Sequence, residues 1–251
     1  MKRITKFQIF TILMTSLTII VNGLANTLPL NGQGTGEISD RFEIYFVPAG
    51  YVFSIWALIY LGLIAFTIYQ ALPAQRDNLW SRRISPAYWI ASVTNTAWIF
   101  LWHYEVFTIT LPVMLIILVS LPYIYIQLSK AGDDFAGPQK WYIKFPFSIY
   151  LGWISVATIA NASQVLFFYN WDGWGIPAAV WAVIMLITAL IIGLIMNWRE
   201  NDTPYVLVLV WAFAGIGVSQ ADTALVAMAA WTTAAVLALA LVSRHLIKRF
   251  V

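Results

Sequence analysis

Residues 47 to 60 read VPAGYVFSIWALIY. The stretch is uncharged and runs from a Pro-Ala-Gly turn into an apolar helix, yet it places Tyr51, Phe53, Trp56 and Tyr60 where Leu or Ile would serve a lipid-facing surface equally well. Rings in such a helix either anchor it at the membrane surface or line a space. The rest of the chain decides between these uses.

Outward from this stretch the lack of charge continues. Of 251 residues 61% are hydrophobic and 10% charged, against about 25% charged in a soluble domain. Apolar runs near the ~20 residues that cross a hydrocarbon core recur along the whole length. They predict an all-α polytopic membrane helix bundle with eight spans, roughly 7–28, 51–73, 85–102, 106–128, 145–167, 176–197, 203–219 and 223–243. Ser85-Pro86 and Thr203-Pro204 read as a capping hydroxyl before a first-turn proline, and Asp222 as a cap for the last span. Pro112 and Pro122 are expected to bend the fourth span.

The basic residues test this topology. With the N-terminus inside, thirteen of the fourteen Lys and Arg residues fall on the inner side and only Arg41 lies outside, as the positive-inside rule requires. Both termini are therefore expected in the cytoplasm, in a bacterial cytoplasmic membrane. The first span follows MKRITK in the manner of a signal peptide, but it stays apolar to Leu30 and is read as a retained helix.

Function classes drop out in turn. Zero cysteines exclude disulfides, thiolate metal sites and cysteine nucleophiles. No acidic residue falls within a span, which argues against an ion-coupled pump, since such pumps need buried ionisable relays. His103 and His245 stand apart, so no metal site is expected, and each is read as interfacial or solvated. Neither a phosphate loop nor a catalytic constellation is present, nor any feature for nucleic acid. The expected partners are the lipid bilayer and a small hydrophobic ligand.

Thirteen tryptophans need a reading. Trp80, Trp102, Trp141, Trp171, Trp174 and Trp198 lie at span ends and are assigned to the interfacial belt. Within spans, spacing singles out three faces. Trp56 and Tyr60 are four apart, Asn95 and Trp98 three apart, and Trp153, Ala157 and Asn161 step by four, so each set shares one helix face. Rings with a few uncharged hydrogen-bonding groups suit a large, flat, mostly apolar molecule.

The same residues carry a resemblance. PAGYVFSIWALIY is similar to the "PPGWVFGPVWTLLY" pattern of the TspO, or tryptophan-rich sensory protein (translocator), family, keeping Pro48, Gly50, Val52, Phe53, Trp56 and Tyr60. ASVTNTAW resembles the family's "QxxxNxxW", with Asn95 and Trp98 kept and Ala91 in place of Gln. IYLGWISVATIAN resembles "PYLxWxxFATxLN" and keeps Tyr150, Leu151, Trp153, Ala157, Thr158 and Asn161. The resemblance implies a five-helix bundle over residues 1–172 whose Phe53, Trp56, Tyr60, Asn95, Trp98, Trp153, Ala157 and Asn161 line a pocket beneath the loop of residues 31–50. It implies a porphyrin, or tetrapyrrole, as the ligand, with no cofactor required. Residues 173–251 add three spans expected to pack on the first five and, by covering a surface, to favour a monomer. A photo-oxidative porphyrin-degrading enzyme and a carrier for another hydrophobic solute are the alternatives. NASQVLFF after the fifth helix lacks the basic residue of the family's cholesterol segment, so sterol binding is not carried over.

Overall fold

A computed structural model describes residues 4–28, 30–130 and 139–250 of the chain. Among these residues the secondary structure is helical: α1 (Lys6–Thr27), α2 (Thr35–Asp40), α3 (Ile55–Ala71), α4 (Leu79–His103), α5 (Phe107–Lys130), α6 (Phe145–Phe168), α7 (Ala178–Trp198), α8 (Thr203–Ser219) and α9 (Ala224–Phe250). Each of the eight long helices overlaps one of the eight expected spans. A 3-10 turn, Gly50–Ser54, leads into α3, and a π-helical turn, Lys140–Lys144, leads into α6. Lys2 and Arg3, on which part of the charge argument falls, lie outside the described residues.

Helix ends show where local signals hold. At α1 the Thr5 side chain accepts from the Gln8 amide while the Gln8 side chain accepts from the Thr5 amide, a reciprocal cap. The fourth helix does not open at Ser85-Pro86: it begins at Leu79, capped by the Asn78 side chain, and Pro86 lies inside it, as membrane helices tolerate. At α8 the cap is Asp202, whose carboxylate accepts from the Tyr205 amide at 3.0 Å, not the Thr203 hydroxyl. The Thr223 carbonyl, rather than Asp222, receives the first amides of α9.

Among the described residues six helical segments are long and apolar enough to cross a bilayer, and α8 is apolar but shorter. Helix α4 falls outside that group, and it buries Ser81, Ser85, Ser92, Asn95, Thr96 and His103. Helix α1 buries Gln8, Thr11, Thr15, Thr18, Asn22 and Ala25, a stripe at steps of three and four. Ile9, Leu13, Leu17, Ile20 and Leu24 are left exposed. In lipid an outward apolar face costs nothing, and interhelical hydrogen bonds contribute to packing. Those bonds reach α4: Trp89 Nε1 donates to Thr11 Oγ1 (3.0 Å), Thr15 Oγ1 and Tyr88 Oη lie 2.6 Å apart, and Asn22 Nδ2 donates to Asn95 Oδ1 (2.8 Å).

Contacts group the chain into two compact units, Met1–Arg41 with Trp56–Leu151, and Phe42–Ile55 with Gly152–Val251. In the first unit Phe66, Tyr88 and Phe147 form a buried aromatic triad with centroids 4.9 to 5.7 Å apart. Gln8 Nε2 donates to the Gln70 carbonyl at 2.8 Å, and Gln70 Nε2 donates back to the Gln8 carbonyl at 3.3 Å.

The second unit packs through small residues. A Cβ on Gly193 would lie 2.8 Å from Leu209 Cδ1 and 2.9 Å from Leu237 Cδ2, and one on Gly217 would lie 2.6 Å from the Trp231 indole nitrogen. Glycine thus brings α7, α8 and α9 together. Arg244 is buried: its guanidinium donates to the Asn197 carbonyl (2.6 Å) and to Thr203 Oγ1 (2.5 Å). It joins the end of α7 to the start of α8, placing a cation where the α7 dipole is negative.

Candidate functional site

In the first unit, three of the singled-out residues come together around a fourth. Trp56 and Tyr60 stack with centroids 5.4 Å apart and 18° between planes. The Tyr150 ring meets Trp56 edge-on at 6.2 Å, and its hydroxyl accepts from Asn95 Nδ2 at 3.3 Å. Asn95 Oδ1 accepts from Asn22, so a buried amide–amide–phenol chain lies behind two half-buried rings. Trp98, one turn along α4, is half-buried and stacks on the buried Trp102 at 5.1 Å and 15°. Trp102 is therefore a supporting ring, not the interfacial anchor its position at a span end implied.

In the second unit, Phe53 and Trp153 meet edge-to-face at 5.6 Å and 81°. Trp153 and Asn161 are buried and Ala157 is half-buried along α6. The segment bearing Phe53 is held by α8. The Ala49 amide donates to the Gly215 carbonyl (3.0 Å), Trp211 Nε1 donates to the Val52 carbonyl (3.2 Å), and Tyr51 packs edge-on against Trp211 at 5.2 Å. A Cβ on Gly215 would fall 2.2 Å from Val52 Cγ2, so only glycine admits this approach. Sequence reasoning missed Gly215 and Trp211, and a glycine facing a loop so far away along the chain leaves no local signal.

Over residues 8–243 the chain matches the family described as TSPO-like protein. The chain belongs to this TSPO-like family. The match takes in α7, α8 and most of α9 as well as the first five long helices. No curated protein and no solved structure matched. As a TSPO-like protein the chain is an integral multi-pass membrane protein, and membership supports a ligand-binding or sensory role there.

This TSPO-like protein also has a cavity of about 830 Å³ within its second unit. Its walls are Thr158, Ala162 and Ser163 of α6, Ala182 and Met185 of α7, the 171–177 turn, and residues 43–46. None of the eight singled-out residues lines it. Trp171, Trp174 and Trp181 do, and they touch one another with centroids 5.2 to 5.9 Å apart. Trp171 and Trp174 lie at span ends, a position that does not distinguish a belt anchor from a cavity lining.

The loop after α1 is fixed by a histidine. His103 is fully buried, not interfacial or solvated: Nδ1 lies 3.1 Å from the Leu30 carbonyl and Nε2 lies 2.9 Å from Thr35 Oγ1. A carbonyl only accepts, so Nδ1 carries the proton and, in the neutral ring, Nε2 accepts from the threonine. Beside it Trp102 Nε1 donates to the Thr35 carbonyl (3.1 Å), and Arg41 pairs with Glu105 at 2.9 Å. Hydrogen bonds from Arg41 and then Gln33 hold the Glu105 carboxyl below the usual carboxylate range. Among the described residues no group of three His, Cys, Asp or Glu stands close enough to hold a metal.

Proposed function

We propose that this TSPO-like protein binds a flat, mostly apolar ligand of the tetrapyrrole class, a porphyrin, and senses or carries it. Phe53, Trp56, Tyr60, Asn95, Trp98, Trp153, Ala157 and Asn161 are the residues assigned to contact it. The observation that supports this reading most is the buried chain Asn22–Asn95–Tyr150 lying behind the stacked Trp56–Tyr60 pair. Rings supply large apolar contact area for a macrocycle face, and the fixed amide and phenol groups orient its polar edge. No charge stands in this set, in keeping with a ligand recognised by shape and stacking. We further assign both termini to the cytoplasm of a bacterial membrane, and the protein to a monomer.

Titration of the purified protein with protoporphyrin, read by quenching of tryptophan fluorescence, tests the assignment. Trp56→Ala and Trp98→Ala are each expected to weaken binding about tenfold, the loss of roughly 1.4 kcal/mol of aromatic contact. Wild-type affinity in both variants would place the ligand elsewhere.

A further inference from the structure

We propose that the cavity between α6 and α7 is a second binding site, separate from the aromatic–amide set, and that it takes an amphiphilic organic cation: an onium head on an apolar body. At about 830 Å³ it has the size of a small-molecule pocket. Ala162 and Ser163 on one helix and Ala178 and Ala182 on the other are small, and small residues ordinarily let helices close up in a bilayer. Here the space stays open under a turn that is locked in place. The Asp172 carboxylate accepts from the Trp174 amide at 2.9 Å, and Trp181 Nε1 donates to the Gly173 carbonyl at 3.0 Å.

The backbone of that turn points to a use beyond anchoring. Gly173, Trp174 and Gly175 all have positive φ, with Trp174 at 55°. For a bulky residue this conformation is costly, and it is held while the ring remains 76% exposed. An interfacial anchor requires no such backbone. What the conformation achieves is a trio of indoles at the rim of the cavity.

Charge selects the occupant. Glu43 and Asp172 line the cavity, and among the described residues no Lys, Arg or His does. The α7 N-terminus adds about half a positive charge and the α6 C-terminus about half a negative one, so the helix ends cancel. Two carboxylates with three indole faces attract an organic cation, repel an acidic porphyrin, and leave an uncharged lipid unselected.

The test is equilibrium binding of tetraphenylphosphonium to the purified full chain in nonionic detergent, against tetraphenylborate, which has the same shape and the opposite charge. Saturable binding of the phosphonium alone is expected. Ala182→Phe should abolish it by filling the space. Glu43→Gln combined with Asp172→Asn should weaken it about tenfold. The Gln/Asn pair keeps every volume and retains an oxygen to cap Trp174, so it carries the test if Ala182→Phe fails to fold. Equal binding of the borate, or wild-type binding of the phosphonium by the Gln/Asn pair, would overturn the proposal.

Discussion

Asn95 is buried in α4 with its oxygen on Asn22 and its nitrogen on Tyr150. An unpartnered amide there has no water to turn to. Asn95→Leu is therefore expected to cost about 1–3 kcal/mol, as is Asn22→Leu. The double variant should cost clearly less than the sum, because it removes both members of one bond. Thermal unfolding of the three variants in detergent checks this, and strict additivity would mean the two amides do not interact. Arg244→Met tests the other buried polar junction: it strips two charge-assisted bonds from the ends of α7 and α8, and about 1.5–3 kcal/mol should be lost. At this scale the sequence was legible where spacing placed groups on one face, as for Trp56 with Tyr60. It was silent where partners lie far apart, as for Asn22 with Asn95, since a lone Asn in an apolar run does not say which helix it faces.

Among the elements, the helices followed from apolar run length, and the polar stripe of α1 is visible at steps of three and four once one looks for a reversed amphipathic pattern. A sum of hydropathy hides it. Ser85-Pro86 misled because Ser before Pro marks helix starts in water, whereas a span can carry proline inside. Helix α2 has six residues and no apolar run to announce it. The segment 42–55 depends on α8 through Gly215, so Gly215→Ala should cost about 1–3 kcal/mol by overpacking against Val52. Hydrogen exchange should quicken at Ala49 and Val52; unchanged exchange would mean that the α8 contact does not hold the segment. The Arg41–Glu105 pair holds α2 in a pH-dependent way. Because the Glu105 carboxyl is held low, its contribution is in place above the ordinary carboxylate range and is lost as pH falls through the depressed value. The side chains are 46% and 40% exposed, so the effect is small and local. Exchange at α2, corrected for the intrinsic rate, should rise at acid pH in the wild type and lose that dependence in Glu105→Gln.

For the molecule as a whole, membrane passage rests on composition and family, and orientation rests on charge. The absence of cysteine makes orientation directly accessible. A single cysteine at Glu200 should react with an impermeant maleimide only from the cytoplasmic side, and one at Asp222 only from the opposite side. The pattern reversed would put both termini outside. The eight-helix extent was readable because each span is nearly uncharged. The cavity beside Trp174 was not, because its walls come from a loop and two helices whose residues read individually as packing or belt. Where a porphyrin sits is decided by an experimental structure of the protein with protoporphyrin bound. The macrocycle is expected in contact with Trp56 and Trp98. A macrocycle lodged against Trp171 and Trp181, or on the lipid-facing surface, would contradict it.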